Sequence, residues 1–147
     1  ALQTLGHVRE VATGLPAEAA ALPELREIDL HEWQGRTQAE IQEDEPELFK
    51  LWKERAWDLK LGGGRYVVRD LWDRAALAWR LMREGAPPPE QGPSLVVSHG
   101  TLGKALLSTA LGLPPSAFRH FELKNGEVVE VAYPAGEGEA LWRRLYP

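Results

Sequence analysis

Leu2, Leu5, Val8 and Ala12 recur three to four positions apart and predict a helix from Ala1 to Val11. Nothing caps its start, and Gly14 and Pro16 end it. Ala17 to Leu22 is a short apolar run, read as a strand. From Glu24 to Gly35 the pattern loses its period. Charges surround Ile28, Leu30 and Trp33 there, which predicts a loop held by a few apolar anchors. Thr37 and Glu40 have the capping-box spacing, so a short helix is predicted to about Glu43. Pro46 suits a first helical position and opens a second helix through Leu48, Phe49, Leu51 and Trp52. Gly62-Gly63-Gly64 reads as a plain linker, because no strand or Lys-Ser/Thr follows it. Val68, Leu71, Trp72, Ala75, Ala78, Trp79 and Met82 then mark a long amphipathic helix.

A Pro-rich connection, Gly85 to Pro93, leads to the apolar run Leu95-Val96-Val97, read as a short internal strand ending at Ser98. A helix is predicted from Leu102 to Leu111, stopped by Gly112 and Pro114. Ser116 caps one more short turn through Phe118. Phe121 to Leu123 and Glu127 to Tyr133 read as two strands joined at Asn125-Gly126, a strong hairpin signal. Helices alternating with strands predict one layered α/β domain over residues 1–147.

Composition narrows the function classes. Apolar residues make up 44% and charged residues 27%, which suits a packed core rather than disorder. The net charge of −5 argues against a nucleic-acid partner. No apolar run approaches a membrane span, and no signal-peptide pattern opens the chain. The absence of Cys excludes disulfides and thiolate metal sites and suits a cytoplasmic protein. A single Met and a single Asn in a chain rich in Leu, Ala, Arg, Pro and Glu suit a thermophile or a GC-rich genome.

The chemistry concentrates at Ser98-His99-Gly100-Thr101. A histidine at a strand end faces the first N–H groups of a helix, which lack internal partners and favour an anion. Alone, this spacing does not separate an anion site from an ordinary loop histidine. Gly100-Thr101-Leu102-Gly103-Lys104 fails the P-loop pattern, because Ala105 stands where Ser or Thr must hold Mg²⁺. His7, His31, His99 and His120 lack a paired metal-ligand spacing, so neither a metal nor another cofactor is expected.

Four segments together resemble the histidine phosphatase superfamily, the phosphoglycerate mutase-like proteins. Ala1-Leu2-Gln3-Thr4 is similar to the end of its Arg-Ala-x-x-Thr segment. Leu25-Arg26-Glu27-Ile28-Asp29-Leu30-His31-Glu32-Trp33-Gln34-Gly35 resembles its glutamate loop, and Val96-Val97-Ser98-His99-Gly100 its second-histidine strand. Leu111-Gly112-Leu113-Pro114 through Asn125 resembles its C-terminal pattern. The resemblance implies a three-layer α/β/α sandwich, here without the family's N-terminal strand and helix. It implies Glu27 as the proton donor to the leaving oxygen and His99 as the second histidine at the phosphoryl oxygens. Gly100 and Thr101 are then substrate-binding. A carboxyl with a raised pKa suits the first task, and fixed donors suit the second.

The family's Arg-His-Gly nucleophile occurs nowhere in these residues, and the segment Gly63-Gly64-Arg65-Tyr66 departs from its usual Gly-Gly-Glu-Ser. His31 replaces a small residue of the glutamate loop, as a compensating donor or as a solvated side chain. Either an N-terminal portion precedes the chain in the native protein, or a shortened relative closes the gap by forming a homodimer. The leading reading is a phosphomonoesterase or phosphomutase of the phosphohistidine type acting on a small phosphorylated metabolite. The short Trp33 to Gly62 stretch favours the phosphatase. The alternative is a catalytically inactive relative that binds a phosphorylated ligand or a protein partner. Trp33, Trp52 and Trp57 are assigned to the core before a pocket wall.

Overall fold

The computed structural model describes residues 1–15, 19–133 and 140–146, with the backbone alone at Pro89 and Tyr146. The spacing around Leu71 produces α4 (Val67–Glu84), which buries Val68, Leu71, Trp72, Ala75 and Ala78 along one stripe. That stripe packs against α5 (Gly100–Ala110), whose Leu102, Ala105 and Leu106 complete the same core. Two tryptophans on α4 satisfy their indole N–H across the interface. Trp72 donates to the Leu113 carbonyl at 2.9 Å and Trp79 to the Leu106 carbonyl at 2.8 Å.

Two short helices, α2 (Gln38–Asp44) and α3 (Pro46–Arg55), begin where their caps predict. Thr37 accepts the Glu40 N–H at 3.3 Å, and Glu40 accepts the Thr37 N–H at 2.7 Å. Arg36 fastens this corner with 2.6 Å bonds to Asp44 and Glu45. Trp33 is buried, while Trp52 and Trp57 pack partly buried against the core. They serve the core as expected.

The first helix, α1 (Leu2–Val11), forms where its period predicts, but it buries no residue. Leu2 and Val11 stand in solvent. An apolar face records what a helix needs to cover; it does not supply the partner. Of the strand expected from Ala17 to Leu22, Ala17 and Glu18 lie outside the described residues, and residues 19–22 are irregular.

Helices are combined with strands that, among the described residues, pair as two separate antiparallel ladders. β1 (Lys60–Leu61) and β2 (Arg65–Tyr66) enclose the glycine triplet, which is therefore a hairpin turn rather than a linker. β3 (Val128–Ala132) pairs with β4 (Leu141–Tyr146), with Glu130 opposite Arg143 and Val131 opposite Trp142. The hairpin expected between Phe121–Leu123 and Glu127–Tyr133 is corrected accordingly. Its Asn125-Gly126 turn forms, but Phe121 packs edge-on against Trp142 instead of entering a ladder.

The run Leu95 to Ser98, expected as an internal strand, enters no ladder among the described residues. Leu95 is 51% and Val96 39% exposed. A buried strand needs hydrogen-bonded neighbours on both sides, and the described strands pair only within their own hairpins.

Candidate functional site

The loop that carries Glu27 runs between 3₁₀ turns at Pro23–Leu25 and His31–Trp33. Leu25, Ile28 and Leu30 pack against the core and hold it down. From this loop the half-buried Glu27 carboxylate reaches the start of α5. Its Oε1 accepts the Leu102 N–H at 2.9 Å and its Oε2 the Thr101 N–H at 3.1 Å. Oε1 also accepts the Ile28 N–H at 2.9 Å. His99 is the N-cap residue, but its side chain makes no capping bond. The cap comes instead from a distant loop, with a negative charge at the positive end of the helix dipole.

Beside this cap lies an open cleft of about 590 Å³. Glu27, Ser98, His99 and Gly100 line one side; Lys124 and Asn125 bring polar groups from another. Trp79, Val96, Leu123, Val129 and Val131 give it apolar walls. Glu27 and His99, far apart in sequence, thus meet at one place. Gly100 joins them. Thr101 does not line the cleft, and its N–H, expected to hold an anion, is already given to Glu27. Gly103 lets the wall close up: a Cβ there would sit 2.9 Å from Leu123 Cδ1.

The sequence reading missed Lys124 and Arg74. Lys124 sits beside the Asn125-Gly126 turn, which marks a bend without marking what the bend faces. Arg74 lies three positions after Leu71 and four before Ala78, bordering the buried stripe. A cation at that border was the available signal.

His31 takes neither expected role. It adopts φ +46° and sets its ring over Gly62, where an added Cβ would come within 2.5 Å of it. Asp29 stabilises the turn by accepting the His31 N–H at 2.8 Å. Gly62 itself has φ +56° and donates its N–H to Glu32 at 2.8 Å. Backbone N–H groups, its own and then that of Gly62, hold Glu32 below the usual 4.5. This tie is therefore present at neutral pH and is lost only as pH falls through the lowered value. Gly62→Ala meets both the left-handed backbone and the His31 ring. It is expected to cost about 1–2 kcal/mol, read as a lower urea midpoint. An unchanged midpoint would contradict it.

Among the described residues, no group of three or more His, Asp or Glu is arranged to hold a metal. No helix among them is long and apolar enough to cross a membrane.

Several phosphatases of known sequence are similar to this chain. It is 40% identical over 98 residues to 2-carboxy-D-arabinitol-1-phosphatase of Triticum aestivum, covering 65% of this chain and 18% of that protein. It is 36% identical over 94 residues to glucosyl-3-phosphoglycerate phosphatase of Mycobacterium tuberculosis, covering 61% of this chain and 42% of that protein. The chain thus spans less than half the length of these relatives. Among solved structures, the fold matches a "putative alpha-ribazole-5'-P phosphatase" from Escherichia coli with a TM-score of 0.71 and 20% identity. That match covers 97% of this chain and 68% of the other. The architecture is therefore the phosphoglycerate mutase-like α/β fold. The profile of the histidine phosphatase superfamily (branch 1) matches residues 1–144, and the chain belongs to that family.

Proposed function

We propose that this chain carries the proton-donor and oxyanion side of a phosphohistidine-type phosphatase acting on a small phosphorylated metabolite. One observation carries the reading: Glu27 and His99 line the same cleft at the start of α5. The relatives' names support a phosphatase. They act through proteins longer than this chain, so its own activity and substrate are part of the proposal.

In this reading the attacking histidine is not among residues 1–147, because none of the four histidines stands in Arg-His-Gly. His99 and Lys124 then face the phosphoryl oxygens and compensate charge that grows during transfer. Glu27 rests as the cap of α5. To protonate a leaving oxygen, Oε2 leaves the Thr101 N–H, takes a proton from water in the cleft and passes that proton to the leaving oxygen, while Ile28 and Leu102 keep Oε1. Gly100 supplies the backbone nearest the bound anion, and Thr101 contributes its N–H once Oε2 has left it.

Binding tests the reading directly. Phosphate or vanadate at about 10 mM is expected to shift the His99 ring signals in an NMR titration, the weak affinity reflecting few local donors. His99→Gln should abolish the response of the Gly100 amide. If both signals stay still, the cleft is not an anion site. In the alternative reading, a non-catalytic relative, phosphate binds but no extended form of the protein turns over substrate.

A further inference from the structure

A side chain from another element is hydrogen-bonded to the backbone of the Glu27 loop. Arg74, on α4, donates from Nη1 to the carbonyls of Glu24, at 3.0 Å, and of Arg26. From Nη2 it donates to the carbonyl of Glu27 itself, at 3.0 Å. One guanidinium thus serves three carbonyls within four residues. Arg26 and Glu27 lie outside any helix or strand, just after the 3₁₀ turn that contains Glu24.

The arrangement is costly enough to need a reason. Arg74 is half-buried, and burial first, with Arg26 second, pushes its guanidinium below the usual arginine value. A buried cation is tolerated where its donors are used, and here they are used on one loop. The planar fork matters as well. A lysine ammonium has the same charge but cannot span acceptors that lie this far along the chain. Ser98 adds a weaker tie to the same loop, its hydroxyl 3.4 Å from the Leu25 carbonyl.

We infer that Arg74 is the positioning residue for Glu27, fixing the backbone from which the carboxylate reaches both α5 and the cleft beside His99. The inference rests on the reading of Glu27 as the working carboxyl of that cleft. The reach leaves little slack. Bonds of 2.9 and 3.1 Å to Leu102 and Thr101 fail if the Glu27 backbone moves by about 1 Å.

The test uses the 147-residue chain and needs no turnover. Arg74→Lys and Arg74→Met are compared with Glu27→Gln by amide hydrogen exchange and amide chemical shifts. Thr101 and Leu102 report on the Glu27 contact; Ala75 and Leu107 report on the helices at large. Both Arg74 variants are expected to speed exchange at Thr101 and Leu102 by about tenfold. Their amide shifts should move in the direction seen for Glu27→Gln, while Ala75 and Leu107 change less than about twofold in Arg74→Lys. Should Arg74→Met fail to fold, Arg74→Lys decides alone. Unchanged Thr101 and Leu102 amides in a folded Arg74→Lys would overturn the inference. So would equal acceleration at all four positions, which is plain destabilisation. A still His99 ring under phosphate sinks the anion reading instead, and leaves the amide result to stand or fall by itself.

Discussion

The 147-residue chain, purified alone, is expected to leave p-nitrophenyl phosphate and sugar phosphates unhydrolysed. A protein extended upstream to carry an Arg-His-Gly strand is expected to hydrolyse them. The reason lies in the division of labour proposed for the cleft. Phosphoryl transfer through phosphohistidine needs a nucleophile, a proton donor and donors for the equatorial oxygens. In that proposal Glu27 and His99, which line one cleft, would fill the second and third tasks, and neither could take the first without leaving its own. Removal of a nucleophile typically costs several orders of magnitude in rate, more than the remaining groups restore by positioning. In the extended protein, Glu27→Gln keeps an acceptor at the start of α5 but cannot deliver a proton. Turnover at neutral pH should fall by about a hundredfold or more. The loss should shrink for a substrate whose leaving group needs no proton, such as p-nitrophenolate. Robust hydrolysis by the short chain, abolished by changing His31 or His7, would show that another histidine attacks. The assignment of tasks would then be wrong.

Leu102→Ala is expected to destabilise the fold by about 3 kcal/mol, because it opens a cavity in a fully buried position. For a chain of this size that corresponds to a melting temperature lower by roughly 10 °C. Leu102 lies where α5 meets α4, and its own N–H holds Glu27. The same substitution should therefore loosen the cap, and phosphate should move the His99 signals less. Leu95→Ala is the matched control. Both positions are leucines that flank Ser98-His99-Gly100-Thr101, yet Leu95 is half exposed and pairs with no strand among the described residues. Its loss should cost less than about 0.5 kcal/mol. Thermal and urea unfolding of the two variants measure the contrast. Equal losses would mean that Leu95 is buried in solution, and the correction to the expected strand would fail.

Local elements were legible wherever a short stretch contains its own reason. Thr37 and Glu40 close a capping box with each other, so four residues suffice to read the start of α2. The stripe from Val68 to Ala78 repeats often enough to announce α4 and its buried face. Asn125-Gly126 announced a turn, and the turn is present. Strand partners were another matter. Phe121 and Val131 have comparable strand character, but β4 takes Val131, because Trp142 and Arg143 set the register from a segment further along. For Leu95 to Ser98, apolar content signalled burial, whereas burial also requires neighbours that the period cannot name.

The sequence by itself determined the helices, the capping box of α2, the anchored glutamate loop and, through resemblance, Glu27 and His99 as the pair to watch. Each of these follows from spacing within a few residues or from a motif held in one segment. Only the tertiary structure decided that the anion at the start of α5 is the protein's own Glu27, and that Arg74 holds the loop which delivers it. The physical reason is distance along the chain. Helix N–H groups donate to any well-placed acceptor, and a guanidinium serves any carbonyl within reach. Which acceptor arrives is settled when α4 and α5 pack and carry the loop between them.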